Sequence, residues 1–331
     1  MSSGSSLSEP SVEKRLDSLP AFSRVVELVG ASNPLQRKRI RTMLRERDDT
    51  YFAFAEDVSR SLTAAFMRTP ADALAAAQAY DGLCLEMLRE QIRFRKTGVY
   101  RLDDAADAID TVYGDPTRMR AYLIGLLLTY LFWPNHYALF QLFRDGLAQL
   151  RPQRSLEVGA GHGVFTTELI RRHPDVELTV VDISQSSIQV TREFLEAFDV
   201  PQDSVRFVLA DFMGPDLALG SFDLIVLGEL IEHVNDAGAL LRRATELLTP
   251  DGTIFLTTCA NCPAADHIYY FGSADDIRAL IDASGLRIDR EVVLAAEAVP
   301  EDRWREERTT VNYGALLRRA TVSTAGTTAQ G

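Results

Sequence analysis

Three glycines at alternate positions, Gly159, Gly161 and Gly163, follow Glu157 and the short apolar run Ser155–Val158. A turn built from such residues bends sharply and lets a ligand lie against its backbone, and Ala160 shares that turn. After one more helix-like stretch the apolar run Glu177–Val181 stops at Asp182, with Ile183 next. A carboxylate roughly 20 residues past a glycine turn is placed to accept both hydroxyls of a ribose. Two further acids close strand-like runs, Asp211 in Ala210-Asp211-Phe212 and Glu229 in Gly228-Glu229. Candidate bases are His136, His162, His233 and His267, with Tyr137 beside His136. An oxygen or nitrogen nucleophile needs such a group to take its proton.

The elements that must hold these residues fall into two halves. From Ser155 onward, strand-like runs alternate with helix-like ones. Strands are expected at Ser155–Val158, Glu177–Val181, Val205–Leu209, Ser221–Leu227, Thr253–Thr258, Leu286–Leu294 and Thr309–Leu317, with a turn at Pro250-Asp251-Gly252. Helices are expected at Val164–Arg172, Ala237–Leu248 and Ser273–Ser284. This alternation predicts an α/β domain with a Rossmann-like, seven-stranded, doubly wound sheet, which binds ligands beyond the carboxyl ends of its strands. The glycine turn, Asp182, Asp211 and Gly228-Glu229 all lie at such ends. Residues 12–150 show helical periodicity instead. Helices are expected at Val12–Leu16, Ala21–Val29, Pro34–Arg47, Tyr51–Met67, Ala71–Arg95, Leu102–Val112, Thr117–Trp133 and Tyr137–Leu150. The predicted organisation is a disordered N-terminus over 1–11, a helical domain over 12–150, an α/β domain over 151–320 and a disordered tail over 321–331. Pro134 breaks the last long apolar helix, and Tyr130, Trp133, Asn135, His136 and Tyr137 cluster at the break. Trp133 and Phe140 read as packing, whereas Tyr130, Asn135, His136 and Tyr137 read as facing the ligand.

Residues 154 to about 318 resemble the class I S-adenosylmethionine (SAM)-dependent methyltransferases. Glu157-Val-Gly-Ala-Gly-His-Gly163 is similar to their first motif, (D/E)-x-G-x-G-x-G. Phe222-Asp223-Leu-Ile-Val with Gly228-Glu229 matches a later one, and Leu248-Thr-Pro-Asp-Gly252 matches another in which Asp251 replaces a glycine. The resemblance implies SAM as co-substrate. Asp182 would then grip the ribose, Asp211 and Phe212 the adenine, and the glycine turn the methionine part. It also implies a seventh, antiparallel strand at Thr309–Leu317. In some members of this class an E-x-x-E-H run carries a divalent metal with a later histidine. Glu229, Glu232, His233 and His267 would be that set here. The same run is common in members without metal, where it caps or packs a helix, and the expectation here is no metal. The helical half resembles the lid or dimerisation regions of natural-product enzymes of this class.

Composition narrows the partners. The 331 residues carry a net charge of −12, the opposite of a nucleic-acid footprint. The most apolar stretch, Tyr122–Trp133, is shorter than the roughly 20 residues a bilayer span requires. No secretion signal is read at the start, so a cytoplasmic protein is expected, with a homodimer through the helical half as one arrangement. Three cysteines form no disulfide framework, and the single pair Cys259-x-x-Cys262 is not expected to hold zinc. Three functions fit. The first is methyl transfer to a small molecule, in specialised metabolism. The second is attack on the γ-carbon of SAM with release of methylthioadenosine, as in an azetidine-2-carboxylate synthase. The third is SAM binding without chemistry.

Overall fold

A computed structural model describes residues 11–108 and 113–320. The expected disorder over 1–10 and 321–331, and the end of the expected helix Leu102–Val112, lie outside the described residues.

The first half is helical, as periodicity requires: α1 Val12–Asp17, α2 Pro20–Ser32, α3 Pro34–Leu44, α4 Asp49–Phe66, α5 Pro70–Thr97, α6 Ala105–Ala108, α7 Pro116–Phe132 and α8 Pro134–Gln149. Local chemistry sets the boundaries. Thr69 and Asp72 form a reciprocal capping box at the start of α5, and Gly98 ends it at φ +77°. Asp115 accepts from the Thr117 and Arg118 N–H groups at the start of α7. Pro134, which has no N–H to give α7, starts α8 instead, and the two axes bend by 83° at this break. Among the described residues no single helix is long and apolar enough to cross a membrane.

The second half runs β1 Arg154–Val158, α9 Val164–Arg172, β2 Glu177–Asp182, α10 Gln185–Ala197, β3 Val205–Leu209, β4 Phe222–Gly228, α11 Ala237–Leu247, β5 Leu248–Ala260, α12 Ala274–Ala283, β6 Leu286–Ala295, α13 Trp304–Glu307 and β7 Val311–Arg319. The sheet order is β3-β2-β1-β4-β5-β7-β6. Six strands run in one direction, and β7 runs antiparallel between β5 and β6, as the family resemblance implied. Strand order reverses between β1 and β4, which opens the ligand crevice there. Helix α10 was not expected from the sequence; Ser184 caps it by accepting from the Ser187 N–H. The expected turn at Pro250–Gly252 is absorbed into β5. Leu248 pairs with Phe222 and Thr253 with Leu224, so the residues between them bulge out.

The two halves share one core. Val180, Leu224, Val226 and Phe255 face a cluster that continues into α2, α4, α7 and α8. Their strand neighbours Val181, Ile225, Leu227, Ile254 and Leu256 face a second cluster with α11 and α12. This is the period-two alternation of a sheet buried on both faces. The Phe143 ring lies 5.1 Å from that of Phe165 and 4.7 Å from that of Phe255. Helix α8 is thus part of the sheet's covering layer, and the helical half is built onto the α/β half rather than appended to it.

Candidate functional site

A cavity of about 850 Å³ opens where the carboxyl ends of the strands meet α5 and α7. Such a volume lies toward the upper end of small-molecule sites, roughly 300–1,000 Å³. Its wall includes Gly159, Ala160, Gly161, Asp182, Ile183, Asp211, Phe212, Gly228 and Glu229, so the strand-end residues singled out by sequence converge as expected.

The glycine turn shows why its residue types are needed. Gly159, Gly161 and Gly163 hold φ of +71°, +57° and +79°, where side-chain-bearing residues are strained. The Gly159 N–H donates to the Val181 carbonyl, which ties the turn to β2. Gly163 is off the cavity wall, a correction to its expected contact with the ligand. A Cβ there would stand 2.9 Å from Thr191 Cγ2, so this glycine lets α9 and α10 close-pack. Glu157 is corrected likewise. It is buried behind the turn, away from the wall, and accepts from Thr166 Oγ1 at 2.6 Å. Burial pushes its carboxyl up to about 8, which keeps it protonated at neutral pH.

Asp182 is buried on the cavity wall and accepts from the Ser184 N–H at 2.8 Å. Burial raises its carboxyl to about 6, against the pull of the N–H groups of Ser184, Gly161 and Ala160, so it is ionised at neutral pH. Asp211 spends one oxygen on the Met213 N–H at 2.8 Å. It is therefore a turn-closing aspartate as well as a wall residue. Ile183, 49% exposed, and Phe212 add apolar surface. Glu229 holds φ +48° while its N–H donates to Thr257. Its Oε1 is buried without a partner among the described residues. An orphaned carboxylate oxygen on a wall that also holds the glycine turn and Asp182 fits a ligand that brings an ammonium group, as SAM does.

The helix break splits the residues expected there. Tyr130 and His136 line the cavity, with ring centroids 5.4 Å apart. The His162 ring stands edge-on to Tyr130 at 5.0 Å and is buried. Burial lowers His136 to about 4 and His162 to about 3. Asn135 reaches the wall, and its amide donates to Leu294 O, Ala295 O and Asn312 Oδ1, which ties α8 to β6 and β7. Tyr137 is the clearest correction. It points away from the cavity, against Tyr51 at 4.9 Å and Phe54 at 5.3 Å, and its hydroxyl accepts from Gln141 at 3.0 Å. It packs in the core, off the cavity wall.

His233 does reach the cavity, within a cluster that sequence reading missed. Its Nδ1 lies 3.1 Å from the Asp266 carbonyl and 3.6 Å from Asp266 Oδ2. The hydroxyls of Tyr113 and Tyr122 donate to the two Asp266 oxygens, at 3.1 and 3.4 Å. Burial raises the Asp266 carboxyl, but the His233 and His267 imidazoles and the two tyrosines outweigh it and hold the group below the usual carboxylate range. A carbonyl beside Nδ1 assigns the hydrogen to that nitrogen and leaves the Nε2 lone pair free. The available signal was an acid next to a histidine, Asp266-His267, just beyond a strand's carboxyl end. Of the residues weighed as a metal set, Glu232, His233 and His267 bring one ligand atom each within 4.8 Å of one another, and Glu229 and Glu232 do so with Cys259.

Comparison with known proteins agrees with this geometry. Residues 156–254 match a family model described as a methyltransferase domain. A ubiquinone biosynthesis O-methyltransferase of Neisseria meningitidis is 30% identical over 122 residues, which cover 36% of this chain and 49% of that protein. An O-methyltransferase of Pyrenophora dematioidea is 33% identical over 147 residues, 43% of this chain and 54% of that one. The matched segments thus span about half the length of these curated relatives. The structure of the mitomycin 7-O-methyltransferase MmcR is similar in fold over 93% of this chain and 98% of that one, with a TM-score of 0.51 at 16% identity. Residues 156–254 are thus similar to methyltransferase domains, within an α/β half of Rossmann-like fold.

Proposed function

We propose that the protein is an O-methyltransferase of a small organic molecule, in specialised metabolism. The observation that carries this reading is the shared wall. One cavity holds the SAM-type residues Asp182 and Glu229 and, with them, His233 oriented by Asp266. The O-methyltransferase relatives support oxygen as the accepting atom. Helices α5 and α7 supply an apolar wall of Leu83, Met87, Met119, Leu123 and Leu126, which suits a compact aromatic acceptor.

SAM supplies a methyl group on a sulfonium that is already an excellent leaving group. The chain's work is therefore alignment and exclusion of water. Asp182 accepts from the ribose hydroxyls and Glu229 from the methionine ammonium. Ile183 and Phe212 bound the adenine, with Asp211 at its edge. His233 Nε2 takes the proton from the acceptor hydroxyl as the oxygen bonds to the methyl carbon, and the Asp266 carboxylate stabilises the imidazolium. His136, kept neutral by burial, shapes the wall.

A second reading has its own observation. Tyr130, His136 and His162 crowd the cavity next to the glycine turn, and an aromatic enclosure favours a sulfonium by cation–π contact. Such a site would suit attack by SAM's own amine on its γ-carbon. One experiment separates the two. The pure protein is incubated with SAM alone and then with a panel of phenols, and the nucleoside product is read by mass spectrometry. S-adenosylhomocysteine that appears only with a phenol, matched by a methylated product, is expected. Methylthioadenosine formed from SAM alone would replace methyl transfer with γ-carbon attack.

A further inference from the structure

We propose that Cys259, Cys262, His267 and Glu232 form a thiolate-rich binding site for one zinc-class divalent cation. The chain folds so as to bring them together. Cys259 ends β5, and Asn261 takes a left-handed φ of +49° that turns the chain back, so that Cys262 returns toward Cys259. The turn is held on every side. The Cys262 N–H donates to Tyr100, the Asn261 amide donates to the Gly272 carbonyl, and Thr310 donates to the Asn261 carbonyl. His267 comes from the following loop, its imidazole oriented by the Cys262 carbonyl at 2.7 Å. The two sulfurs and the imidazole offer ligand atoms within 4.8 Å of one another. Cys259 Sγ lies 3.9 Å from Glu232 Oε1. Tetrahedral zinc with sulfur and nitrogen ligands sets neighbouring ligand atoms about 3.5–3.8 Å apart.

Charge gives the second argument. Glu232 is buried and its Oε2 accepts from Thr258 at 2.8 Å, while Oε1 faces the Cys259 thiol. Among the described residues no lysine or arginine forms an ion pair with Glu232 or Glu229. Glu229 lies on the cavity wall, where a ligand's ammonium reaches it, but Glu232 does not. A buried acid beside two thiols is a mixed oxygen and sulfur donor set that a cation can fill. Two thiolates in the set select a zinc-class ion over magnesium or manganese. Cys259, Cys262 and His267 are the three ligands that lie within 4.8 Å of one another, and Glu232 stands beside Cys259 as the fourth. The site fastens the loop that carries Asp266 to the segment that carries His233.

The test is metal content, independent of any methyl-transfer assay. The full-length protein is purified under reducing, anaerobic conditions and analysed by elemental mass spectrometry. About one equivalent of zinc is expected, lost in Cys259→Ser and Cys262→Ser but kept in Cys84→Ser. Wild-type protein stripped with chelator and refilled with Co²⁺ should show thiolate-to-cobalt charge-transfer absorption, and its melting temperature should rise on refilling. Protein without zinc that fails to take up Co²⁺ overturns the site. So does uptake of Mg²⁺ or Mn²⁺ with no cobalt–thiolate band. A Cys259–Cys262 disulfide in the purified protein also overturns it. The wild-type measurements decide even where the serine variants fail to fold.

Discussion

A pair of histidines, His136 and His162, faces the same cavity as His233, and the groups behind them differ. His136 and His162 sit beside Tyr130 near the glycine turn, and burial without a carboxylate partner lowers them to about 4 and about 3. His136 Nδ1 finds only the Thr129 hydroxyl, at 2.7 Å. Across the cavity His233 has the Asp266 carbonyl and carboxylate at its Nδ1, with Tyr113 bridging at 3.2 Å from the ring. An imidazole that must gain a proton in the transition state needs a charge to receive it. The pair is packing with a polar edge, and His233 is the proposed base with a counterion beside it. Proximity to the ligand does not separate them, because both line the wall; the second layer does.

The comparison breaks most directly at His233. His233→Gln should lower kcat by ~10²–10⁴-fold while SAM affinity stays near wild type, read by single-turnover methyl transfer and calorimetry. Wild-type turnover would move the base elsewhere. Next in size is Asp182→Ala. Hydrogen bonds to a charged group contribute ~1.5–3 kcal/mol each, and two are lost, so SAM affinity should fall by about two orders of magnitude or more. Wild-type Asp182 also sets a pH dependence. SAM prefers the ionised carboxylate, so affinity should hold above and decline as pH falls through about 6. Calorimetry across that window checks both, and a flat profile removes Asp182 from the ribose site. His136→Gln should cost turnover less than about tenfold, roughly the 1 kcal/mol of disturbed packing. A loss matching His233→Gln would erase the distinction between His233 and the buried pair.

The strand-end side of the cavity was legible in the sequence because its signals are local. Glycines in a left-handed turn and an acid that closes a strand read within a few residues of one another, and Gly159, Gly161, Asp182, Asp211 and Glu229 all reach the wall. Even there direction was hidden. Glu157 alternates to the far side of β1 and meets Thr166, and Gly163 answers to Thr191 on α10, an element the sequence reading lacked. The helical side was legible as helices but not as a site. Tyr113 and Tyr122 precede Asp266 by about 150 residues, a pairing that only the packing of α7 over the strand ends creates. Tyr137 failed for the same reason. At a helix break, which of four consecutive side chains faces the cavity depends on the 83° bend, and the sequence does not encode that angle locally.

Tyr137 gives the smallest effect and the sharpest check on that last point. One residue separates His136 on the cavity wall from Tyr137, whose ring is wedged between Tyr51 and Phe54 on α4. Tyr137→Phe keeps those ring contacts and removes only the bond from Gln141, so stability should drop by about 0.5–1.5 kcal/mol, read from denaturant midpoints. Turnover should stay at wild type, because no atom of the ring reaches the cavity wall. Lost turnover at unchanged stability would mean that α8 sits one position further round its axis in solution. His136 would then leave the cavity as Tyr137 entered it, since neighbouring positions on one helix point about 100° apart.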